Sequence, residues 1–409
     1  MTPPPIPTFP DDLVNRTASS RIVLCVMDGV GGLPHPDHGR TELEAARTPN
    51  LDALAAASSL GLHDPVAPGV TPGSGPAHLA LFGYDPLVWE VGRGALSALG
   101  VGFDLRPGDV AIRLNLATLD EERRITDRRA GRPADDVARP AVERLKREVD
   151  LGAGVTFHLF HEKEHRVVLV LRPDEGRVLG AALEDTDPQD VGIPPLDPQA
   201  RDAASEPTAA LLASFIRQAE VILAGEPAIR GVLARGIAAY EPFPSMETRF
   251  GLRAAAYARY PMYRGVGRLV GMTVPGVPGS DEEAVALLEA QAGAFDFHFI
   301  HAKAPDARGE DGDFDGKVAA IEAVDAWIPR LVALEPDVLL VTGDHSTPAG
   351  YGAHTWHAVP VLLHSRWARP TATTFGETAC RSGDLGRVRG VDLVSLALAH
   401  AGRLQKFGA

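Results

Sequence analysis

What most constrains this 409-residue chain is where its acids and histidines fall relative to its apolar runs. Arg21-Ile-Val-Leu-Cys-Val-Met27 is a short, unbroken apolar segment that ends at Asp28-Gly29. Such a run reads as a buried parallel strand, here presenting an acid at its C-terminal end. Asp296-Phe-His-Phe-Ile-His301 is followed by Asp306 and Glu310. Asp337-Val-Leu-Leu-Val-Thr342 is followed by Asp344, His345 and, a short loop later, His354. Open α/β sheets bind ligands at the carboxyl ends of their strands, so these side chains are expected to converge on one edge.

The rest of the chain supplies the frame. Thr48-Pro49-Asn50 opens a helix over Leu51–Ala57, with Thr as N-cap and Pro in the first turn. A turn-rich stretch, Pro68–Pro76, leads into a short helix at Ala77–Phe82. From about Asp104 the texture changes. Asp109–Ala117 alternates apolar and polar residues and predicts a strand with one wet face. Thr156–Phe160 and Arg166–Leu171 read as further strands, and Ala209–Leu223 as an amphipathic helix. The first texture returns near Thr248, with a strand at Leu252–Ala258 and a helix at Glu282–Ala292. A long helix follows at Phe314–Leu334 with Pro329 near its end, then a strand at Val359–Leu363 and a closing helix at Val391–Ala401. Strands alternating with helices on both sides of a different middle predict an α/β domain over 1–106 and 246–409. A smaller α+β domain is inserted at 107–245, with hinges near Leu105–Gly108 and Ala238–Ser245.

Composition narrows the function classes. Lys+Arg is 40 against Asp+Glu 54, a formal charge of −14. An acid-rich chain lacks the cationic footprint that nucleic acid or an anionic membrane requires. Two cysteines, Cys25 and Cys380, exclude a disulfide framework and a cysteine zinc cluster. The start, Met1-Thr-Pro-Pro-Pro-Ile-Pro7, has neither the basic nor the apolar region of a signal peptide. No apolar run approaches the ~20 residues that span a bilayer. A soluble cytoplasmic protein is expected.

Taken singly, each strand-end residue has a plain explanation. Asp28-Gly29 is a turn, Asp306 and Glu310 a solvated helix start, Asp344-His345 a loop pair. Their joint placement is what argues for chemistry. Oxygen and imidazole donors in this mixture suit a pair of divalent ions, Mn or Mg. Two such ions ~4 Å apart stabilise the attacking and leaving oxygens of a displacement at phosphorus. Ser74, in Pro-Gly-Ser-Gly-Pro before a predicted helix, is either a helix cap or a nucleophile beside phosphate-attracting N–H groups. Thr126-Asp-Arg-Arg-Ala-Gly-Arg132 places three arginines within five residues, either a solvated basic loop or forks for carboxylate and phosphate. G-x-x-x-x-G-K-[ST], H-E-x-x-H and G-x-S-x-G are all missing from the sequence.

Several longer pieces carry a resemblance. They are Thr48-Pro-Asn-Leu-Asp52, Gly73-Ser-Gly-Pro-Ala-His-Leu-Ala-Leu-Phe-Gly-Tyr-Asp-Pro86, Gly92-Arg-Gly94, Asp127-Arg-Arg-Ala-Gly-Arg132, Asp185-Thr-Asp-Pro188, Asp311-Gly-Asp313 and Gly343-Asp-His-Ser-Thr-Pro348. With these, nearly the whole chain resembles the archaeal-type 2,3-bisphosphoglycerate-independent phosphoglycerate mutases of the alkaline phosphatase superfamily. The resemblance implies an alkaline-phosphatase-like sheet flanked by helices. It implies a phosphoryl relay from 3-phosphoglycerate to Ser74 and back onto the 2-hydroxyl, with Asp127 as acid/base. Asp28, Ser74, Asp344 and His345 would hold one metal, and Asp306, Glu310 and His354 the other. Arg128, Arg129 and Arg132 would bind substrate, supported by Arg93, Arg166, Arg235 and Arg264. The expected partner is phosphoglycerate, with no nucleic acid or membrane, and association into a homo-oligomer is left open. Three places depart from the family's pattern: Glu310 stands where His is more usual, Gly75-Pro76 where Asp-Thr follows the serine, and Arg264 where a lysine is expected.

Other readings compete. If glycerate escapes while Ser74 is phosphorylated, water completes a phosphomonoester hydrolysis on the same scaffold. Ser74-Gly-Pro-Ala-His78 faintly echoes a sulfatase motif, but ends in His where that motif has Arg. A module that only binds phosphorylated metabolites has no need of the serine.

Overall fold

The computed structural model describes residues 11–408, so the proline-rich start at 1–7 lies outside the described residues. Twelve strands follow in chain order: β1 Ile22–Met27, β2 Ser58–Asp64, β3 Val110–Leu119, β4 Ile125–Asp127, β5 Val155–Lys163, β6 Arg166–Pro173, β7 Gly231–Ala239, β8 Ala254–Tyr257, β9 Phe297–Ala302, β10 Val338–Thr342, β11 Val359–Ser365 and β12 Gly386–Arg389. They form two sheets in two compact units, one of the described residues up to 90 and from 244 onward, the other of 91–243.

The first unit holds a seven-stranded sheet in the order β12-β2-β11-β10-β1-β9-β8. β1 runs parallel to both β9 and β10, and all six of its residues are buried. That is the environment a continuous apolar run demands, because helices cover both faces of a parallel sheet. β11 is antiparallel to β10 and β2, so the sheet is mixed. The helix at Pro49–Ala55 starts where Thr48-Pro49 predicts, but the Thr48 hydroxyl makes no cap. Asp325 from a distant helix does it instead, its carboxylate accepting from Leu51 N at 2.7 Å and Asn50 N at 3.3 Å.

The long helix expected over Phe314–Leu334 is two, Phe314–Asp325 and Ile328–Ala333. Pro329 is the reason: in a continuous helix its ring would clash with the carbonyl of Asp325, whereas in the first turn of a new helix it is tolerated.

The second unit is an antiparallel sheet, β4-β3-β6-β5 with β7 paired to β3. Val110, Ile112, Leu114 and Leu116 point into a core with Val167, Leu169 and Phe215, beneath helices Asp135–Glu148 and Glu206–Leu223. The opposite face of β3 is not wet, as its alternation suggests: Ala111, Asn115 and Ala117 are buried too. Helix Arg93–Gly100 packs there, approaching so closely that a Cβ on Gly94 would lie 2.2 Å from the Ala111 carbonyl oxygen. For the same reason the chain divides at 90/91, before the expected junction at 106/107: this helix belongs with β3, β6 and β7.

Candidate active site

In the first unit the strand ends deliver their side chains to one place. Asp28 follows β1, Asp344 and His345 follow β10, and Asp306 lies on the short helix Ala304–Glu310 after β9. Asp28, Asp306, Asp344 and His345 are all 0% exposed. Two compact sets of ligand-type atoms result, Asp28 with Asp344 and His345, and Asp306 with His345 and His354. Each set lies within 4.8 Å of one another. His345 serves both because its two nitrogens face opposite ways. Nε2 is 3.3 Å from Asp28 Oδ1 and from Asp344 Oδ2, while Nδ1 is 3.8 Å from Asp306 Oδ1. His354 Nε2 is 3.5 Å from Asp306 Oδ1 and 3.6 Å from Glu310 Oε1. Glu310 stands apart from both sets, one turn beyond Asp306 and with its side chain 54% exposed.

Ser74 is the first residue of helix Ser74–Leu81, and its Oγ is 3.3 Å from His345 Nε2. The Gly75-Pro76 departure has little local cost. Pro76 falls in the first turn, where an N–H has no intrahelical partner in any case. One turn on, buried His78 bonds the Ser74 carbonyl at 2.8 Å through Nδ1, which also lies 3.2 Å from Asp344 Oδ2. Burial opposes its protonation, but Asp344 and Asp28 outweigh that and raise its pKa.

Asp28 Oδ2 accepts from the Tyr263 hydroxyl and from His301 Nε2 at 3.1 Å, and Lys303 Nζ lies 3.3 Å away. Lys303 also bonds Asp306 Oδ2. Burial would raise the Asp28 pKa, yet Lys303, His301 and His345 hold it well below the usual carboxylate range. Three buried carboxylates thus face a single lysine among the described residues. Asp28 Oδ1 and Asp344 Oδ2 are buried and accept no well-aligned hydrogen bond, with only the His345 and His78 imidazoles 3.2–3.3 Å away beside them. Unpaired buried anionic oxygens are costly unless a cation joins them. The oxygen and imidazole donors here fit divalent ions, and the sequence anticipated most of them. It did not anticipate His78, Tyr263, His301 or Lys303. The spacing of His78 four residues after Ser74, on the same helix face, and of Lys303 three before Asp306 was the available signal.

Arg264, expected at substrate, is 6% exposed and donates to the carbonyls of Ala258 and Arg259, closing the turn after β8.

The remaining expected residues lie in the second unit. Arg128 does not present an open fork: Nε and Nη2 each donate to Asp187 at 2.8 Å, a bidentate pair. Arg235 is 3.5 Å from Asp187 and 3.7 Å from Asp185. Asp127 accepts from Arg129 N at 2.7 Å and Gly131 N at 2.8 Å, so its carboxylate builds the loop that carries Arg129 and Arg132, both exposed. Arg166 faces Asn115 across β3 and β6, and Arg113 faces Arg235 across β3 and β7. Buried His165 is pushed down to about 4, by burial and then by Arg166, Arg129, Arg113 and Arg132. Arg113 was missed in the sequence, where it reads as one polar step of an alternating strand. Arg93 begins the helix Arg93–Gly100 and is exposed.

Comparison with known proteins bears directly on this arrangement. Residues 55–228 match the family model described as 2,3-bisphosphoglycerate-independent phosphoglycerate mutase. A curated Thermus thermophilus protein, named a probable enzyme of that kind, is 50% identical over 97% of this chain and 98% of its own length. The chain belongs to the 2,3-bisphosphoglycerate-independent phosphoglycerate mutase family. A Deinococcus radiodurans mutase of the same name is 48% identical over 96% of this chain and 97% of its own. Among solved structures, a Pyrococcus horikoshii protein has a TM-score of 0.81 at 29% identity, covering 96% of this chain and all of that one. A cofactor-independent phosphoglycerate mutase from Thermoplasma acidophilum has a TM-score of 0.71 at 28% identity, covering 94% and 100%. No helix among the described residues is long and apolar enough to cross a membrane.

Proposed function

We propose that this chain interconverts 3-phosphoglycerate and 2-phosphoglycerate without bisphosphoglycerate, as a metal-dependent isomerase working through a phosphoserine on Ser74. The observation that carries the reading is the Ser74 hydroxyl at a helix start, 3.3 Å from His345 Nε2 and facing a floor of buried carboxylates. A helix N-terminus favours phosphate, and a hydroxyl there is a poor nucleophile until something lowers the cost of losing its proton. Asp28, Asp344 and His345 would hold one divalent ion beside Ser74; Asp306 and His354, with Glu310 at the exposed edge, would hold a second. Bound divalent ions supply charge stabilisation to oxygens on phosphorus. Mn or Mg suits the donor set.

The chain's own groups do the rest. Ser74 Oγ, its proton already lost, attacks phosphorus as the alkoxide, the bond from phosphorus to the 3-oxygen breaks, and the released glycerate oxygen takes a proton held on Asp127. Glycerate stays bound, its carboxylate held by Arg129, Arg132 and Arg166. The 2-hydroxyl then gives its proton back to Asp127 and attacks the phosphoserine, freeing Ser74 again as the alkoxide, so both residues end the cycle as they began it. No water is consumed, which separates this relay from the hydrolase reading.

Acid quenching of the Mn-loaded protein with 3-phosphoglycerate should trap phosphate on Ser74, read by mass spectrometry. Ser74→Ala should fold normally, carry no phosphate and lose turnover. Normal turnover in that variant would remove the serine from the mechanism.

A further inference from the structure

Thr347 lies two residues beyond His345, in the loop after β10, and is 0% exposed. Its hydroxyl donates to Asp306 Oδ1 at 2.6 Å and lies 3.0 Å from His345 Nδ1. A threonine hydroxyl has one proton. With that proton on the Asp306 side, the contact with His345 is made only if Nδ1 carries the hydrogen and donates to Thr347 Oγ1. Neutral imidazole has one hydrogen to place, so Nε2 is left with its lone pair. Nε2 is the nitrogen facing Asp28 Oδ1, Asp344 Oδ2 and Ser74 Oγ, each at 3.3 Å.

We infer that Thr347 is a positioning residue that fixes the His345 tautomer with the hydrogen on Nδ1, keeping the Nε2 lone pair directed toward Asp28, Asp344 and Ser74. The inference rests on the proposed metal-dependent reading. It resolves the two-faced position of His345, whose ring geometry alone serves both sets. Groups that direct the second nitrogen of a ligating histidine commonly tune metal affinity by about 10–100-fold.

Thr347 is itself held from below. Lys317, 0% exposed on helix Phe314–Asp325, donates to the Thr347 carbonyl at 2.8 Å and to the Gly31 carbonyl at 3.1 Å. Glu42 lies 3.6 Å from its ammonium and accepts from Ala349 N at 2.7 Å. Thr347 N in turn bonds Gly31 O at 3.0 Å. The loops after β1 and β10 are therefore tied to one buried cation, which leaves the hydroxyl little freedom to turn away.

The test is calorimetric titration of the full chain with Mn²⁺, comparing wild type, Thr347→Val and Thr347→Ser, with melting temperatures measured alongside. Valine keeps the shape and removes the hydroxyl; serine keeps the hydroxyl. The expected result is two equivalents in the wild type, one of them weakened about 10–100-fold by Thr347→Val and restored by Thr347→Ser. The weakened equivalent should be the one also lost in Asp344→Asn and kept in His354→Ala. Unchanged affinities in a folded Thr347→Val overturn the inference and leave the proposed function standing. Weakening of the His354-dependent equivalent overturns the tautomer assignment in the same way. A wild type that binds no Mn²⁺ overturns both. Thr347→Ser behaving like Thr347→Val would also refute it, because packing and not the hydroxyl would then be responsible.

Discussion

The carboxylates beneath Ser74 and the arginines of the second unit are both dense in charge, and they are built in opposite ways. Asp28, Asp306 and Asp344 are fully buried, fastened by Tyr263, His301, Lys303, Thr347 and the Gly29 amide, the last donating to Asp344 Oδ1 at 3.1 Å. Arg129 and Arg132 are exposed, on a loop shaped by Asp127 and by left-handed backbone at Ala130, Gly131 and Arg132. Buried like charges repel in a low dielectric and need an exact complement, so the first region is specified by many contacts and tolerates little change. Exposed charges are screened by water and salt, so the second tolerates change more readily. A rigid acid floor and an adaptable basic loop sit on different supports for that reason.

The comparison can be broken at its strongest point first. Asp344→Asn removes one buried charge and one ligand atom, and should lower kcat by ~100-fold or more while weakening Mn²⁺ binding. Turnover within a few-fold of wild type would show that the buried acids are structural only.

A medium effect concerns stability. Glu377 is pushed up to about 7, by burial ahead of the opposing Thr41 hydroxyl and Gly32 amide contacts. The fold therefore favours its protonated form. Its contribution is full below the ordinary value of 4.5 and is lost as the pH rises through about 7. At ~1.4 kcal/mol per unit of displacement, this is a few kcal/mol at most. Denaturant unfolding should show Glu377→Gln gaining on the wild type as the pH rises from 4.5 to about 7, and holding that gain above it. Parallel curves would show that Glu377 ionises freely.

The smallest effect belongs to the exposed loop. Arg129→Ala with Arg132→Ala should raise KM by about 10-fold, with kcat and melting temperature nearly kept, and the difference should shrink in high salt. Arg128→Ala should behave differently, lowering the melting temperature by freeing buried Asp187. If the two variants change KM and stability alike, the contrast between recognition and support within this loop fails.

Much of the buried carboxylate and imidazole floor was legible because its residues end strands that announce themselves. Ile22–Met27 and Val338–Thr342 are uniformly buried, and apolar but for the final threonine, so the acids after them could be placed at a sheet edge before any contact was known. β2 was not legible. Ser58-Ser-Leu-Gly-Leu-His-Asp64 has too few large apolar groups to read as a strand, and it is held by pairing to β11 and β12. The wet face expected on β3 failed because alternation reports side-chain chemistry but not what packs above it. Tyr263, His301 and Thr347 escaped because each acts on a residue that another part of the chain supplies, Thr347 reaching across to Asp306 and Tyr263 to Asp28. A strand end can be read locally; a contact across the sheet edge cannot.

The most direct test of the account is conversion of 3-phosphoglycerate by purified, Mn-loaded protein without bisphosphoglycerate, with 2-phosphoglycerate and free phosphate followed together. The account predicts 2-phosphoglycerate without stoichiometric phosphate release. Phosphate release without 2-phosphoglycerate would contradict it and make the protein a hydrolase on a mutase scaffold.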